Sequence, residues 1–255
     1  MTLLHALILL AAGLGAGTVN AIAGGGSLIT FPILVGIGLP PVSANVSNAL
    51  SVAPGYAASV LGSRADLAGQ GRRIARIVPT VLLGAATGCA LLLVTPRAVF
   101  DLVVPFLVLA ATGTLAFQNR LRGLAGHPKD HTPRRAAVLL HLAVFLCGLY
   151  GGYFNAALGV LFIAGLALVL DEPLRRISAL KNALSTVVGV VTVLVYGVFG
   201  PVNWAAVAVL IPATIAGGLL GARLAQVLPP RVLRAVIIAF GAGAGAVLLI
   251  RAVGP

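Results

Sequence analysis

Long apolar segments constrain this chain more than any other feature of its sequence. Eight stretches each hold about 20 mainly apolar residues, the length that a helix needs to cross the roughly 30 Å hydrocarbon layer of a membrane. They are Leu3–Ile22, Asn45–Gly62, Ile74–Val94, Ala98–Phe117, Ala136–Phe154, Ile177–Val198, Trp204–Leu224 and Val232–Ile250. Two shorter stretches, Ser27–Gly38 and Leu158–Leu170, would reach only about 20 Å as helices. We predict an all-α, polytopic transmembrane helical bundle with eight full spans and two short or half-membrane helices.

Composition agrees with a membrane protein and argues against other classes. Sixty per cent of the residues are hydrophobic, 9% are charged and the mean hydropathy is +1.10. The net charge of +12 does not indicate nucleic acid, because the basic residues lie between apolar segments, as they do in membrane proteins. Cys89 and Cys147 stand apart, without the spacing of a metal or redox site. We expect a multi-pass protein of the bacterial cytoplasmic membrane, without cofactor, metal or nucleic-acid partner.

The sequence also repeats itself at a nearly constant offset. Asn20 returns 135 residues later as Asn155, and Asn48 returns 134 residues later as Asn182, each with similar neighbours. Such an offset, held over a long stretch, is typical of an internal duplication. We predict a first membrane repeat at 1–118, a basic cytoplasmic linker at 119–135 and a second membrane repeat at 136–255.

Positive charge indicates how the two halves face. If the short stretches do not cross, the Lys and Arg residues divide ten against seven, which shows no bias. If they do cross, fifteen of the 17 lie on one side, with Arg97 and Arg251 opposite. The positive-inside rule then favours ten segments, both termini outside, and the basic loops 63–76 and 118–135 in the cytoplasm. The halves would be inverted repeats with interrupted helices, a pattern typical of secondary transporters with a site near the midplane.

The first interruption follows Asn20 and consists of Gly24, Gly25, Gly26 and Ser27. Three consecutive glycines disfavour helix, so in a buried place they suggest that the backbone approaches a ligand closely. We expect Ser27 to cap the short helix that follows, whose free N–H groups suit an anion. The alternative is a tight helix crossing eased by glycines.

A second polar group stands at a helix start after Pro40 and Pro41. Asn45, Ser47 and Asn48 crowd this start, where their side chains and the free backbone donors could replace the water shell of an oxyanion. An ordinary helix cap at the membrane surface is the alternative.

The second half has its own candidates. Lys181 stands where Ser47 stands in the first half, and Asn182 follows it. Lys181 would place a cation beside an anionic substrate; the alternative is that it snorkels to the cytoplasmic interface. Asn155, the counterpart of Asn20, marks the second interruption.

Acidic residues are scarce, which favours an anion over a cation as the substrate. Four of the five lie in predicted loops, and Asp101 is near the start of a span. Cation-coupled transporters and proton pumps normally bury ionisable groups along their path. Backbone dipoles and hydroxyls therefore suit this chain better.

Two motifs and the duplicated layout carry a family resemblance. The motifs are Gly17-Thr18-Val19-Asn20-Ala21-Ile22-Ala23-Gly24-Gly25-Gly26-Ser27, followed by Phe31-Pro32, and Ala44-Asn45-Val46-Ser47-Asn48. Over essentially its whole length the chain resembles the TauE/SafE family of sulfite exporters. The second half departs from the pattern, since 155–159 lacks the glycine cluster. The resemblance implies a permease that exports sulfite or small organosulfonates.

The sequence thus predicts a secondary transporter or facilitator for a small anion, with no enzymatic activity. Two rivals remain: a non-transporting assembly or anchoring subunit, and an intramembrane enzyme. An enzyme would need paired catalytic groups, which the spacing of His and Cys does not supply. The expected partners are the anion and the lipid bilayer, and the sequence leaves a homodimer open.

Overall fold

The computed structural model describes residues 2–22, 24–124 and 132–224, together with 235, 238–239, 242–243 and 245–250. All regular structure in these residues is helical. The helices are α1 (Leu3–Ile22), α2 (Ser27–Gly36), α3 (Pro41–Gly62), α4 (Gly71–Val94), α5 (Arg97–Leu124), α6 (Pro133–Phe154), α7 (Leu158–Val169), α8 (Leu174–Phe199) and α9 (Trp204–Leu224), with a 3-10 turn at Arg64–Leu67. The predicted all-α class is confirmed.

Six helices are long and apolar enough to cross a membrane: α1, α4, α5, α6, α8 and α9. The sequence predicts eight such spans. One of the other two, Asn45–Gly62, falls on α3, whose 22 residues include a run of buried Asn and Ser side chains. A helix surrounded by other helices does not need the hydropathy of one that faces lipid. The last predicted span, Val232–Ile250, lies largely outside the described residues.

The two short helices form where the sequence predicts them. α2 has 10 residues and α7 has 12, so they measure about 15 and 18 Å along their axes, less than the hydrocarbon layer. Gly24 separates α1 from α2 with a φ of +84°, and Ala157 separates α6 from α7 with a φ of +56°. Such left-handed backbone ends a helix, so the chain changes direction at both places.

Close helix packing assembles the bundle. α1 packs on α9 and α4 packs on α6. A Cβ added to Gly17 would lie 2.3 Å from Thr214 O, and one added to Gly152 would lie 2.2 Å from Ala85 O. Small residues allow this approach, which supplies the packing contacts that hold helices together in lipid. Each of these pairs joins a helix of the first predicted repeat to one of the second.

α3 and α8 cross in the middle of the molecule. At the crossing, a Cβ added to Gly189 would lie 2.9 Å from the Cβ of Ala53. Both helices bury polar side chains, and these side chains lie near the two interruptions.

Candidate functional site

The two interruptions touch each other. A Cβ on Gly24 would lie 2.6 Å from Gly159 Cα, and a Cβ on Gly159 would lie 2.6 Å from Gly24 Cα. Gly24 comes just before α2, and Gly159 is the second residue of α7. The N-terminal ends of both short helices therefore lie side by side. Helix N-termini carry partial positive charge and bind anions, so their meeting point favours a negatively charged ligand.

Lys181 lies at this meeting point. Its side chain is 0% exposed, and a Cβ on Gly159 would lie 2.9 Å from its Cδ. Its Nζ donates a hydrogen bond to Asn20 O, 3.0 Å away. The snorkelling alternative is therefore wrong: tertiary packing holds this lysine inside the protein, although it stands early in α8.

Lys181 has no acidic partner. It is the only charged side chain among the described residues that is buried, and the ion pairs of those residues involve arginines instead. An ammonium group has three N–H donors, and Asn20 O accepts one of them. Burying a charge without a counterion is costly, which is the situation that a bound anion would relieve.

Three asparagines adjoin the interruptions. Asn20 Oδ1 accepts a hydrogen bond of 2.8 Å from Gly26 N, which holds the first interruption together. Asn155 is the last residue before the second turn, and its Oδ1 accepts a hydrogen bond of 3.2 Å from Tyr56 Oη. Asn48 Oδ1 accepts a hydrogen bond from Thr30 Oγ1.

Several buried polar atoms at this site have no partner. They include Asn48 Nδ2, Asn155 Nδ2 and Ser27 Oγ. The prediction that Ser27 caps α2 is wrong: the helix already begins at Ser27, Gly26 takes the cap position, and no side chain caps it. The Ser27 hydroxyl lies beside that of Tyr56 instead. Unpartnered buried polar atoms are uncommon in proteins, and here they cluster around a buried cation.

The other predicted residues have different contacts. Asn45 Nδ2 donates to Tyr153 O at 2.9 Å, and Ser47 Oγ accepts from Asn203 N at 2.8 Å. Asn182 Nδ2 donates to Ser63 Oγ at 3.2 Å. These bonds tie α3 and α8 to neighbouring elements and do not reach the two interruptions. Gly25 lies between Gly24 and the cap residue and is buried.

Sequence reasoning missed three side chains: Thr30, Tyr56 and Ser185. All three are fully buried, and Ser185 Oγ has no hydrogen-bond partner. A helical period shows part of the pattern, because Thr30 follows Ser27 by one turn and Tyr56 follows Asn48 by two. Ser185 likewise stands one turn after Lys181.

Both ends of the α3–α8 pair are closed. Glu172 Oε1 lies 3.0 Å from Arg73 Nη1, and Glu172 Oε2 lies 2.8 Å from Arg176 Nε. We call these three residues the ion-pair cluster; it joins the start of α4 to the start of α8. At the other end of α8, the Asn203–Ser47 bond joins the loop before α9 to α3. Lys181 lies between these closures.

An apolar cavity of about 580 Å³ lies elsewhere, between α1, α2 and residues 239–248. Its lining carries no polar side chain, so it does not suit an anion. Within the described residues, no group of three or more His, Cys, Asp or Glu side chains is placed to hold a metal ion. The polar chemistry of the described bundle is therefore concentrated at the two interruptions.

Comparison with known proteins agrees with a transport role. The chain is similar to a probable membrane transporter protein of Haemophilus influenzae, 28% identical over 91% of this chain and 89% of the relative. It is also similar to the probable membrane transporter protein YfcA of Escherichia coli, 25% identical over 92% and 86% of the two chains. No solved structure matches it significantly. The model of the sulfite exporter TauE/SafE family matches residues 9–248. The chain therefore belongs to the sulfite exporter TauE/SafE family and is a multi-pass membrane transporter.

Proposed function

We propose that this transporter moves a small oxyanion, sulfite or an organosulfonate, across the cytoplasmic membrane as a secondary transporter or facilitator. The observation that carries the proposal is the buried ammonium of Lys181, which has no carboxylate partner in the described chain. It lies where the N-termini of α2 and α7 meet, so lysine and helix dipoles act on the same place. The sulfur in the proposed substrate rests on the family description alone.

The proposed binding site consists of the predicted residues that the interruptions bring together. Asn20, Gly24, Gly26 and Gly159 shape the backbone around Lys181. Asn48, Asn155 and Ser27 offer buried polar atoms that have no partner in the protein. Backbone and amide donors in a dry pocket can replace the hydration shell that an oxyanion loses.

We further propose that the two halves are inverted repeats that rock against each other. Equivalent contacts support this arrangement: α4 packs on α6 through Gly84 and Gly88, and α9 packs on α1 through Gly217 and Gly221, which stand 133 residues later. Alternating access would then open one end of the α3–α8 pair while the other stays closed. The ion-pair cluster and the Asn203–Ser47 bond would be the contacts that open.

Flux of labelled anions into proteoliposomes tests this function. We expect the wild type to move sulfite or a small sulfonate, and Lys181→Met to reduce the flux by roughly a hundredfold or more, since an unpaired buried anion costs several kcal/mol. Arg175→Met is the matched control, because the side chain of Arg175 is 87% exposed and its loss should leave the flux unchanged. Equal flux in the wild type and Lys181→Met would refute the proposed site. Absence of flux for sulfite, sulfate, thiosulfate and sulfoacetate would refute the oxyanion substrate and favour an assembly subunit.

A further inference from the structure

The amides of Asn48 and Asn155 are arranged in the same way, although they lie in different halves of the chain. Each Oδ1 accepts a hydrogen bond from a hydroxyl group, of Thr30 in one case and of Tyr56 in the other. Each Nδ2 is buried and has no partner. Asn48 is 0% exposed and Asn155 is 1% exposed, so water does not replace the missing acceptor at the protein surface.

A hydroxyl that donates to an amide oxygen decides which end of the amide stays free. An asparagine amide has an acceptor end and a donor end, and rotation about its last bond exchanges the two. With Thr30 and Tyr56 in place, rotation would leave Oδ1 without its donor. A buried group that loses its partner costs about 1–3 kcal/mol. Both NH₂ groups are thus held free to donate.

A continuous series of contacts connects these amides to Lys181. Thr30 stands one turn after Ser27 in α2, and the Ser27 hydroxyl lies beside Tyr56, which bonds Asn155. Asn155 begins the interruption that leads to Gly159, whose backbone lies against Gly24 and the side chain of Lys181. The site therefore combines an ammonium group with two oriented amide donors.

We propose that Thr30 and Tyr56 are positioning residues that hold the Asn48 and Asn155 amides as donors and thereby select the class of anion. The site would take head groups whose oxygens only accept hydrogen bonds, such as a sulfonate. It would reject anions of similar shape that keep an O–H, such as a protonated phosphonate, because that proton meets donors instead of an acceptor. This inference rests on the proposed function and adds the residues that set its specificity.

Methanesulfonate and methylphosphonate are a suitable pair of probes. They have similar size, and in mildly acidic buffer methylphosphonate keeps one proton on its head group. Binding of each to the purified protein in detergent, and inhibition of flux by each in proteoliposomes, give a selectivity ratio. We expect the wild type to prefer methanesulfonate.

Thr30→Val removes the hydroxyl and nearly preserves the shape of the side chain. We expect it to lower the selectivity ratio about tenfold, the effect of one lost hydrogen bond to a buried group. An amide that turns to donate now leaves Oδ1 unpaired, whereas an anion with its own O–H can pair it. Thr30→Ser keeps the hydroxyl and should restore the ratio. The control is Thr192→Val, because the buried Thr192 hydroxyl bonds only the carbonyl of Gly189 in its own helix.

Tyr56→Phe tests the second amide independently, with the same expected fall in the ratio. Its control is Tyr150→Phe, which also removes a tyrosine hydroxyl near the second interruption, but one that bonds the Ala156 carbonyl and no asparagine amide. If Thr30→Val and Tyr56→Phe weaken both probes equally, or if the controls change the ratio as much, the positioning role is refuted. If the wild type binds and moves neither probe nor sulfite, the proposed function fails and this inference fails with it.

Discussion

The backbones of Gly24 and Gly159 are so close that neither residue has room for a side chain. A methyl group on Gly159 would lie 2.6 Å from Gly24 Cα and 2.9 Å from Lys181 Cδ. Backbone cannot move aside as a flexible side chain does. The contact therefore positions Lys181 as well as joining the two short helices.

Gly159→Ala should destabilise the protein by about 1–3 kcal/mol, the usual effect of overpacking, and should abolish anion flux. Thermal unfolding in detergent and proteoliposome flux measure the two effects. Gly15→Ala is the control, because a methyl group there has nothing within 4 Å and alanine favours helix by up to about 1 kcal/mol. A stable and active Gly159→Ala protein would contradict the close contact.

Lys181 should reduce the stability of the empty protein. Its ammonium is fully buried and has one hydrogen bond, to Asn20 O, and replacement of a buried charge by an apolar residue of similar size often stabilises a protein by about 1–4 kcal/mol. We therefore expect Lys181→Met to raise the unfolding temperature in the absence of anion while transport is lost. A large fall in the unfolding temperature would show that Lys181 has a structural role instead.

Among the elements, the start of α4 and the start of α8 are joined by the ion-pair cluster. Glu172 lies between Arg73 and Arg176, with side chains that are partly buried. Gln70 adds a hydrogen bond of 3.2 Å to the carbonyl of Arg176. Exposed ion pairs contribute about 0.2–1 kcal/mol each, which is enough to shift a balanced open–closed equilibrium.

Glu172→Gln should therefore favour opening at this end. A single cysteine at Ser59, a buried position one turn before Ser63 in α3, reports the opening after Cys89 and Cys147 are replaced by alanine. We expect a membrane-impermeant maleimide to label it roughly two to five times faster in the Glu172→Gln protein.

The matched control for this labelling is Asp66→Asn. Asp66 lies 4.0 Å from Arg175, whose side chain is mostly exposed, so its loss should change the rate little. Equal labelling in Glu172→Gln and the wild type would mean that the ion-pair cluster does not hold this end closed.

For the whole molecule, the proposed inverted repeats require a definite topology. Ten segments place both termini outside the cytoplasm and the basic loops 63–76 and 118–135 inside. Reporter fusions at the two ends and in each loop, in intact cells, should give this distribution. A terminus found in the cytoplasm would refute the ten-segment arrangement and the inverted orientation of the halves.

Much of the fold follows from local sequence patterns. The apolar segments predict the spanning helices α1, α4, α5, α6, α8 and α9, and the short stretches predict α2 and α7 within two residues at each end. Hydropathy and glycine clusters act over a single helix or turn, so they are visible without any knowledge of the partners. α3 differs because its environment is protein, which its own residues do not specify.

The sequence by itself determined that the chain is a helical membrane protein interrupted at two places, because burial in lipid requires apolar segments and a break requires special backbone. Only the tertiary structure decided that these interruptions touch, that Lys181 is buried between them, and that Thr30 and Tyr56 orient two amides. The Lys181–Asn20 bond joins residues 161 positions apart. Contacts over such distances depend on how whole helices pack, and local patterns carry no record of that packing.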